Sequence, residues 1–275
     1  MIPAIATAAL LLAAPLAAQS PATASMPGSP AYADLADLAD SAPLVVRAEV
    51  RKLAPVDAAR ARGVRSGHGR YYVEARTQAL IAGNASLSEA LSYLVDLPLD
   101  AKGKPPALKK KSVVVFARAV PGRAGELQLV APDAQVLWEP TMDARLRAVL
   151  TELLGAGAPP RVTGVREAIY VPGNLAGEGE TQIFLNTAKG DPAAITVLHQ
   201  PGQPPSWNAS FSELLDDSGR PPQPETLAWY RLACFLPAAL SASANVSSTP
   251  EDRALAESDY RLVKDRLGSC GRTRR

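Results

Sequence analysis

Glu178 and Glu180 stand two residues apart in Pro172-Gly173-Asn174-Leu175-Ala176-Gly177-Glu178-Gly179-Glu180-Thr181. Paired carboxylates suit acid–base work or the holding of a hard cation, and glycines let a backbone come close to a ligand. His199 ends the apolar run Ala194 to His199, just before Pro201, and adds a group that titrates near neutral pH. A hydrolase built from these residues needs Glu178, Glu180 and His199 to converge in one concave pocket. The plainer reading is a loop of solvated acids between two strands. His68 is the only other histidine, and neither histidine has a His or Cys partner at ligand spacing. No metal site and no cofactor are therefore expected. Nucleophile-elbow, phosphate-loop and dinucleotide fingerprints are absent from the sequence.

A second group points to binding rather than catalysis. Tyr71, Tyr72 and Tyr93 lie on strand-like runs, where rings either stack on a ligand or fill half-buried positions. Lys109, Lys110 and Lys111 follow Lys102 and Lys104 in a proline-broken loop. Such a loop either meets an anionic lipid or polymer, or keeps a strand edge soluble. The 29 basic and 27 acidic residues nearly cancel, leaving +2. That balance argues against a dedicated nucleic-acid binder.

The elements that carry these residues read clearly from periodicity. Leu44, Val46, Ala48 and Val50 alternate with Val45, Arg47, Glu49 and Arg51, the pattern of a half-buried strand. Strands follow at Tyr71 to Ile81, Leu91 to Leu97, Ser112 to Val120 and Leu127 to Ala131, and Val136 to Trp138 is expected to close the sheet. Five or so short antiparallel strands favour a closed or nearly closed barrel. Thr141 reads as the N-cap of a helix with Leu146, Val149, Leu150 and Leu153 on one face, stopped at Gly155. Beyond Pro159-Pro160, four strands form a meander: Val162 to Val171, Thr181 to Thr187, Ala194 to His199 and Trp207 to Phe211. Two helices follow, Glu225 to Leu236 and one capped by Thr249 with Pro250 at its first position.

The strand Leu44-Val45-Val46-Arg47-Ala48-Glu49-Val50 after an Asp-Leu-Ala-rich start, with the later Ser112-Val113-Val114-Val115-Phe116-Ala117-Arg118, resembles OB-type barrels of netrin-like and metalloprotease-inhibitor-like modules. The N-terminal cysteines on which those inhibitors depend are absent. The likeness implies a barrel able to bind an oligomer on one face. As a whole the chain resembles a family of exported alphaproteobacterial proteins, which implies an envelope address and no particular activity.

These readings combine into a β-rich α+β chain, an OB-like antiparallel barrel followed by an antiparallel meander covered by helices. The organisation expected is a signal peptide over 1–24, a disordered linker over 25–35, the barrel over 36–140 and a connecting helix over 141–155. An α+β domain over 156–270 and a frayed basic tail over 271–275 complete it. Met1 to Ala18 carries no charge, and its apolar core fits a signal peptide. The expected address is periplasmic or secreted, with no membrane-spanning segment in the mature chain. The expected function is a non-enzymatic binding or interaction protein of the envelope, its partner a protein or polymer there, with an envelope-polymer hydrolase as the alternative. The two cysteines, Cys234 and Cys270, are expected to form one disulfide in an oxidising compartment. Closing that loop stabilises the fold by about 4 kcal/mol on the chain-entropy account. Alkylation of the denatured, unreduced protein should label neither cysteine, and labelling of both contradicts the pairing.

Overall fold

The computed structural model describes residues 30–212 and 220–274. The expected signal peptide and the start of the expected linker lie outside them. Tyr32 to Leu35, expected to be linker, instead open the first helix, α1 (Tyr32–Ser41), and are buried. The reason is the repeat Ala33-Asp34-Leu35-Ala36-Asp37-Leu38-Ala39-Asp40. A period of three on a helix turns each successive aspartate back by about 60°. Leu35, Leu38 and the alanines fill the apolar side, while the three carboxylates wind around the flank to meet different partners.

Asp34 accepts from the backbone N–H groups of Ala31, Thr273 and Arg274 and from the Thr273 hydroxyl. Asp37 receives a two-pronged contact from Arg272, at 2.6 and 2.9 Å, and the Tyr230 hydroxyl at 2.6 Å. Asp40 is gripped by Arg231, through Nη1 at 2.8 Å and Nη2 at 3.0 Å, and by Arg161 at 2.7 Å. Up to Arg274 the tail is thus not frayed: Arg272 to Arg274 are held against α1, and Arg274 also pairs with Asp133 at 2.8 Å. A charged tail stays ordered where a buried carboxylate, here Asp34, needs its donors.

The first sheet contains β1 (Leu44–Pro55), β2 (His68–Ala82), β3 (Ala90–Pro98), β4 (Ser112–Ala119), β5 (Leu127–Leu129) and β6 (Gln135–Leu137). Its order is β3-β2-β1-β4-β5, with β6 also on β4. One edge of β4 carries β6 at Val113 to Val115 and β5 at Ala117 to Ala119. The sheet curls until β3 faces β5, yet it is not a closed barrel. The edges meet at a parallel bridge between Ser92 and Glu126, through Ser92 N–H to Gly125 O at 2.8 Å and Asp96 N–H to Pro132 O at 2.7 Å. Three residues of β3 between those contacts face six on the other side, so the β5 side bows outward and leaves a gap. Inside the curl, Val46, Ala48, Val50, Val73, Val95 and Val115 form one core.

After α2 (Pro140–Leu154) comes the second sheet, an antiparallel meander ordered β10-β9-β8-β7. Its strands are β7 (Val162–Pro172), β8 (Gly179–Thr187), β9 (Ala194–His199) and β10 (Ser206–Ser210). Helix α2 is capped at Glu139 with Pro140 at its first position, two residues before the expected Thr141 cap. Proline fits there because its missing N–H has no partner to lose. The helices α3 (Leu227–Ala233) and α4 (Pro250–Leu267) follow, and Cys234 is joined to Cys270. Trp229 Nε1–H donates to Leu267 O at 2.8 Å and Tyr260 O–H to Pro237 O at 2.7 Å, tying α4 to α3 and to the segment that follows it. A second core runs from Val45, Val114 and Phe116 on the outer face of the first sheet, through α1, α2 and α3, to Ile183, Ile195 and Val197. The architecture is β-rich α+β, with helices packed on both sheets.

Burial alone would raise the Asp34 pKa, but the donors of Thr273, Arg274 and Ala31 outweigh it and hold the carboxyl below its ordinary value. Burial likewise opposes, and Arg231 and Arg161 overcome, in the lowering at Asp40. A carboxyl depressed in the folded state contributes stability that is present above about pH 4 and lost as pH falls through the folded value. Asp34→Ala should therefore lower the unfolding free energy by about 3 kcal/mol at pH 7. In urea denaturation the variant should also lose less stability than wild type between pH 5 and pH 3.

Candidate functional site

The strand register decides whether the expected catalytic residues meet. Gly179 pairs with His199 and Glu180 with Leu198 across β8 and β9. Side chains alternate faces along a strand, so Glu180 lies on the opposite face from His199. The Glu180 carboxylate accepts from the Gln182 side chain on its own face. Glu178 turns back into its loop and accepts from the N–H groups of Asn174 and Leu175, both at 3.1 Å. The acid pair is thus spent on its own loop and sheet face, and does not converge with His199.

His199 meets α4 instead. Its Nε2 stands 2.9 Å from both carboxylate oxygens of Asp259, and the Thr181 hydroxyl donates to the same carboxylate at 2.5 Å. A carboxylate only accepts, so Nε2 is the donor in this contact. The Asp259 side chain is 3% exposed and that of His199 19%. Tyr170 stands edge-on to the imidazole with ring centroids 5.9 Å apart. Burial, with the charges of Asp259 and Asp252, pushes the Tyr170 phenol pKa up. A His–Asp pair can orient an imidazole for base catalysis, but among the described residues no hydroxyl or thiol is bonded to Nδ1. The cluster is a polar staple that fixes α4 to the strands β7, β8 and β9.

Asp259 was not among the residues expected to matter. The signal was there: Ala256, Asp259, Tyr260, Val263 and Leu267 share the buried stripe of α4, and an aspartate on such a stripe requires a partner.

The tyrosines separate as well. Tyr71 is buried inside the first sheet, and so is Tyr93, whose hydroxyl donates to Gln135 Oε1 at 2.6 Å. Both are core residues, not a stacking face. Tyr72 alone of the three is outward, 40% exposed, beside its register partner Leu94 at 49%. Together they border the gap between β3 and β5, a cleft of about 720 Å³. Its ionisable groups are paired: Arg70 grips Asp96 through Nε at 2.7 Å and Nη2 at 2.8 Å, and Arg123 meets Glu126 at 3.0 Å. Hydrogen bonding to Asp96 raises the Arg70 pKa.

Lys109, Lys110 and Lys111 are exposed at the entry to β4. Lys110 N–H donates to Val50 O at 2.8 Å and Val50 N–H to Lys111 O at 3.0 Å, which fixes the lysines beside the middle of β1. No helix among the described residues is long and apolar enough to cross a membrane, and no group of His, Cys, Asp and Glu there is arranged to hold a metal ion. No protein-family model matches the chain, and no curated protein matches it.

If the assignment of Asp259 is right, Asp259→Ala should lower stability by about 3 kcal/mol, because it strands the donors of His199 and Thr181. Glu180→Gln should stay within about 0.5 kcal/mol of wild type in the same urea titration. The reverse order would contradict the division between staple and sheet surface.

Proposed function

We propose that this chain is an exported, non-enzymatic binding protein of the bacterial envelope, and that it holds an extended segment of an envelope polymer or protein along the β3–β5 cleft. The observation that carries this reading is the pairing of Tyr72 with Leu94. Two large apolar side chains stand exposed side by side above a cleft whose charges are already neutralised within the protein. Such a surface offers contact area and stacking without a free acid or base, which suits binding and not bond cleavage.

The strand arrangement supports an OB-type interpretation of the first sheet. β1, β2 and β3 adjoin in order, β4 and β5 return on the other side of β1, and the curl is left partly open between β3 and β5. Partly open five-stranded barrels of this kind bind oligomers on the face of their second and third strands, where Tyr72 and Leu94 lie. The hydrolase alternative needs Glu178, Glu180 and His199 in one pocket, and their separation across a sheet removes its geometric basis.

Site-directed photo-crosslinking in living cells tests the proposal. A photoreactive residue at position 72 or 94 should give defined adducts, and the same residue at Glu257, exposed on α4, should not. Absence of adducts at both cleft positions, or equal adducts at 257, would overturn the assignment.

A further inference from the structure

Cations gather at one end of the first sheet far beyond what the whole chain predicts. The segments 51–70 and 99–111 contain eleven Lys and Arg against two Asp, in a chain whose total excess is +2. All the other residues together are therefore net acidic. These two segments belong to one pole, because the loop after β1 and the loop after β3 are tied by Leu99 N–H to Gly67 O at 2.8 Å.

Some of these charges are spent within the protein. Arg51 pairs with Glu49, Lys52 with Glu74, Arg65 with Asp133 and Arg70 with Asp96. Those that have no carboxylate partner among the described residues are Arg60 and Arg62 in the first loop. In the second loop they are Lys102, Lys104, Lys109, Lys110 and Lys111, and all seven side chains are exposed. The two local acids do not neutralise them. Asp57 accepts from Ala59 N–H, and Asp100 from the N–H groups of Lys102 and Lys104, so each carboxylate shapes its own turn.

We infer that this pole docks the protein onto an anionic lipid bilayer. Both loops project from the same end of the sheet, so their cations can face a flat surface together. The acidic remainder of the chain is repelled from the same surface, which orients the approach pole-first. A single-stranded nucleic acid fits less well, since neither segment contains Phe, Tyr or Trp to stack on bases. None of the seven unpaired cations lines the cleft, so the docking is tested independently of it.

Each basic residue near an anionic membrane surface strengthens binding by about fivefold. The test is flotation of the full, disulfide-bonded chain with vesicles of equal phosphatidylglycerol and phosphatidylcholine, against vesicles of phosphatidylcholine alone. The wild type should float only with the anionic vesicles and be released in 1 M salt, where the screening length falls to about 3 Å. A variant with Lys102→Gln, Lys104→Gln, Lys109→Gln and Lys111→Gln should lose on the order of several hundredfold in affinity. A second variant, Arg60→Gln with Arg62→Gln, should lose about twenty-fivefold from the other loop, which guards against misfolding of one loop as the cause. A variant neutralising Arg253, Arg261 and Arg266, exposed on α4, should change affinity less than twofold. No binding of the wild type to anionic vesicles, or an equal loss in the α4 variant, would overturn the inference. Binding to soluble polyphosphate without binding to vesicles would also overturn it, and would reassign the pole to a soluble polyanion.

Discussion

Three carboxylates on a ten-residue helix have to be satisfied before the rest of this chain can close. Asp34, Asp37 and Asp40 are pressed against apolar packing, and a carboxylate in that position is tolerated only with donors or cations around it. Each finds a different solution. Asp34 gathers backbone N–H groups and a hydroxyl, Asp37 takes one guanidinium and a phenol, and Asp40 takes two guanidinium groups. The partners come from Arg161, from α3 and from the last residues of the chain, so the helix that begins the described fold also gathers its end. The disulfide works in the same place, since Cys270 stands two residues before Arg272, the first of the tail residues that reach α1.

This arrangement decides which surfaces remain for contact with other molecules. The outer face of β1 and β4 near Val45, Val114 and Phe116 is covered by the helical layer, and the inner face of the second sheet is consumed by the same core. His199 and Asp259 are likewise engaged in holding α4 to its strands. Among the surfaces left outward are the β2–β3 face with Tyr72 and Leu94, and the loop pole with its exposed cations. Neither is needed to bury apolar surface, so each is free to be chosen for binding. The gap between β3 and β5 follows from chain length, three residues against six between the two edge contacts.

Much of the framework was legible in the sequence. Alternation in β1, β2 and the second-sheet strands gave their places to within a few residues, and the two cysteines announced their bond. What escaped was whatever depended on distant partners. Val45 looks like an outward strand residue until α1 and α2 cover it. Arg272 to Arg274 read as a loose basic tail because the sequence does not reveal that Asp34 and Asp37 await them. The alternation of Tyr71 with Tyr72 predicts that one ring points in, but only the curl of the sheet shows which. Glu178 and Glu180 looked like a possible site because two carboxylates sit paired in a glycine-rich loop, with His199 as a titratable group at a strand end. The pairing of Gly179 with His199 puts Glu180 on the other face, a consequence of register that spacing alone cannot supply. The lysines of the second loop were visible in the sequence, whereas their union with Arg60 and Arg62 needed the fold.

The account rests on the tail being gripped by the aspartates of α1, and amide hydrogen exchange at single-residue resolution reads that grip directly. Thr273 and Arg274 both donate their N–H to Asp34. Close to a chain end, they should nevertheless exchange as slowly as amides within the sheets, and should lose that protection in Asp34→Ala. Exchange of both amides at the rate of an unstructured peptide in the wild-type protein would contradict the account.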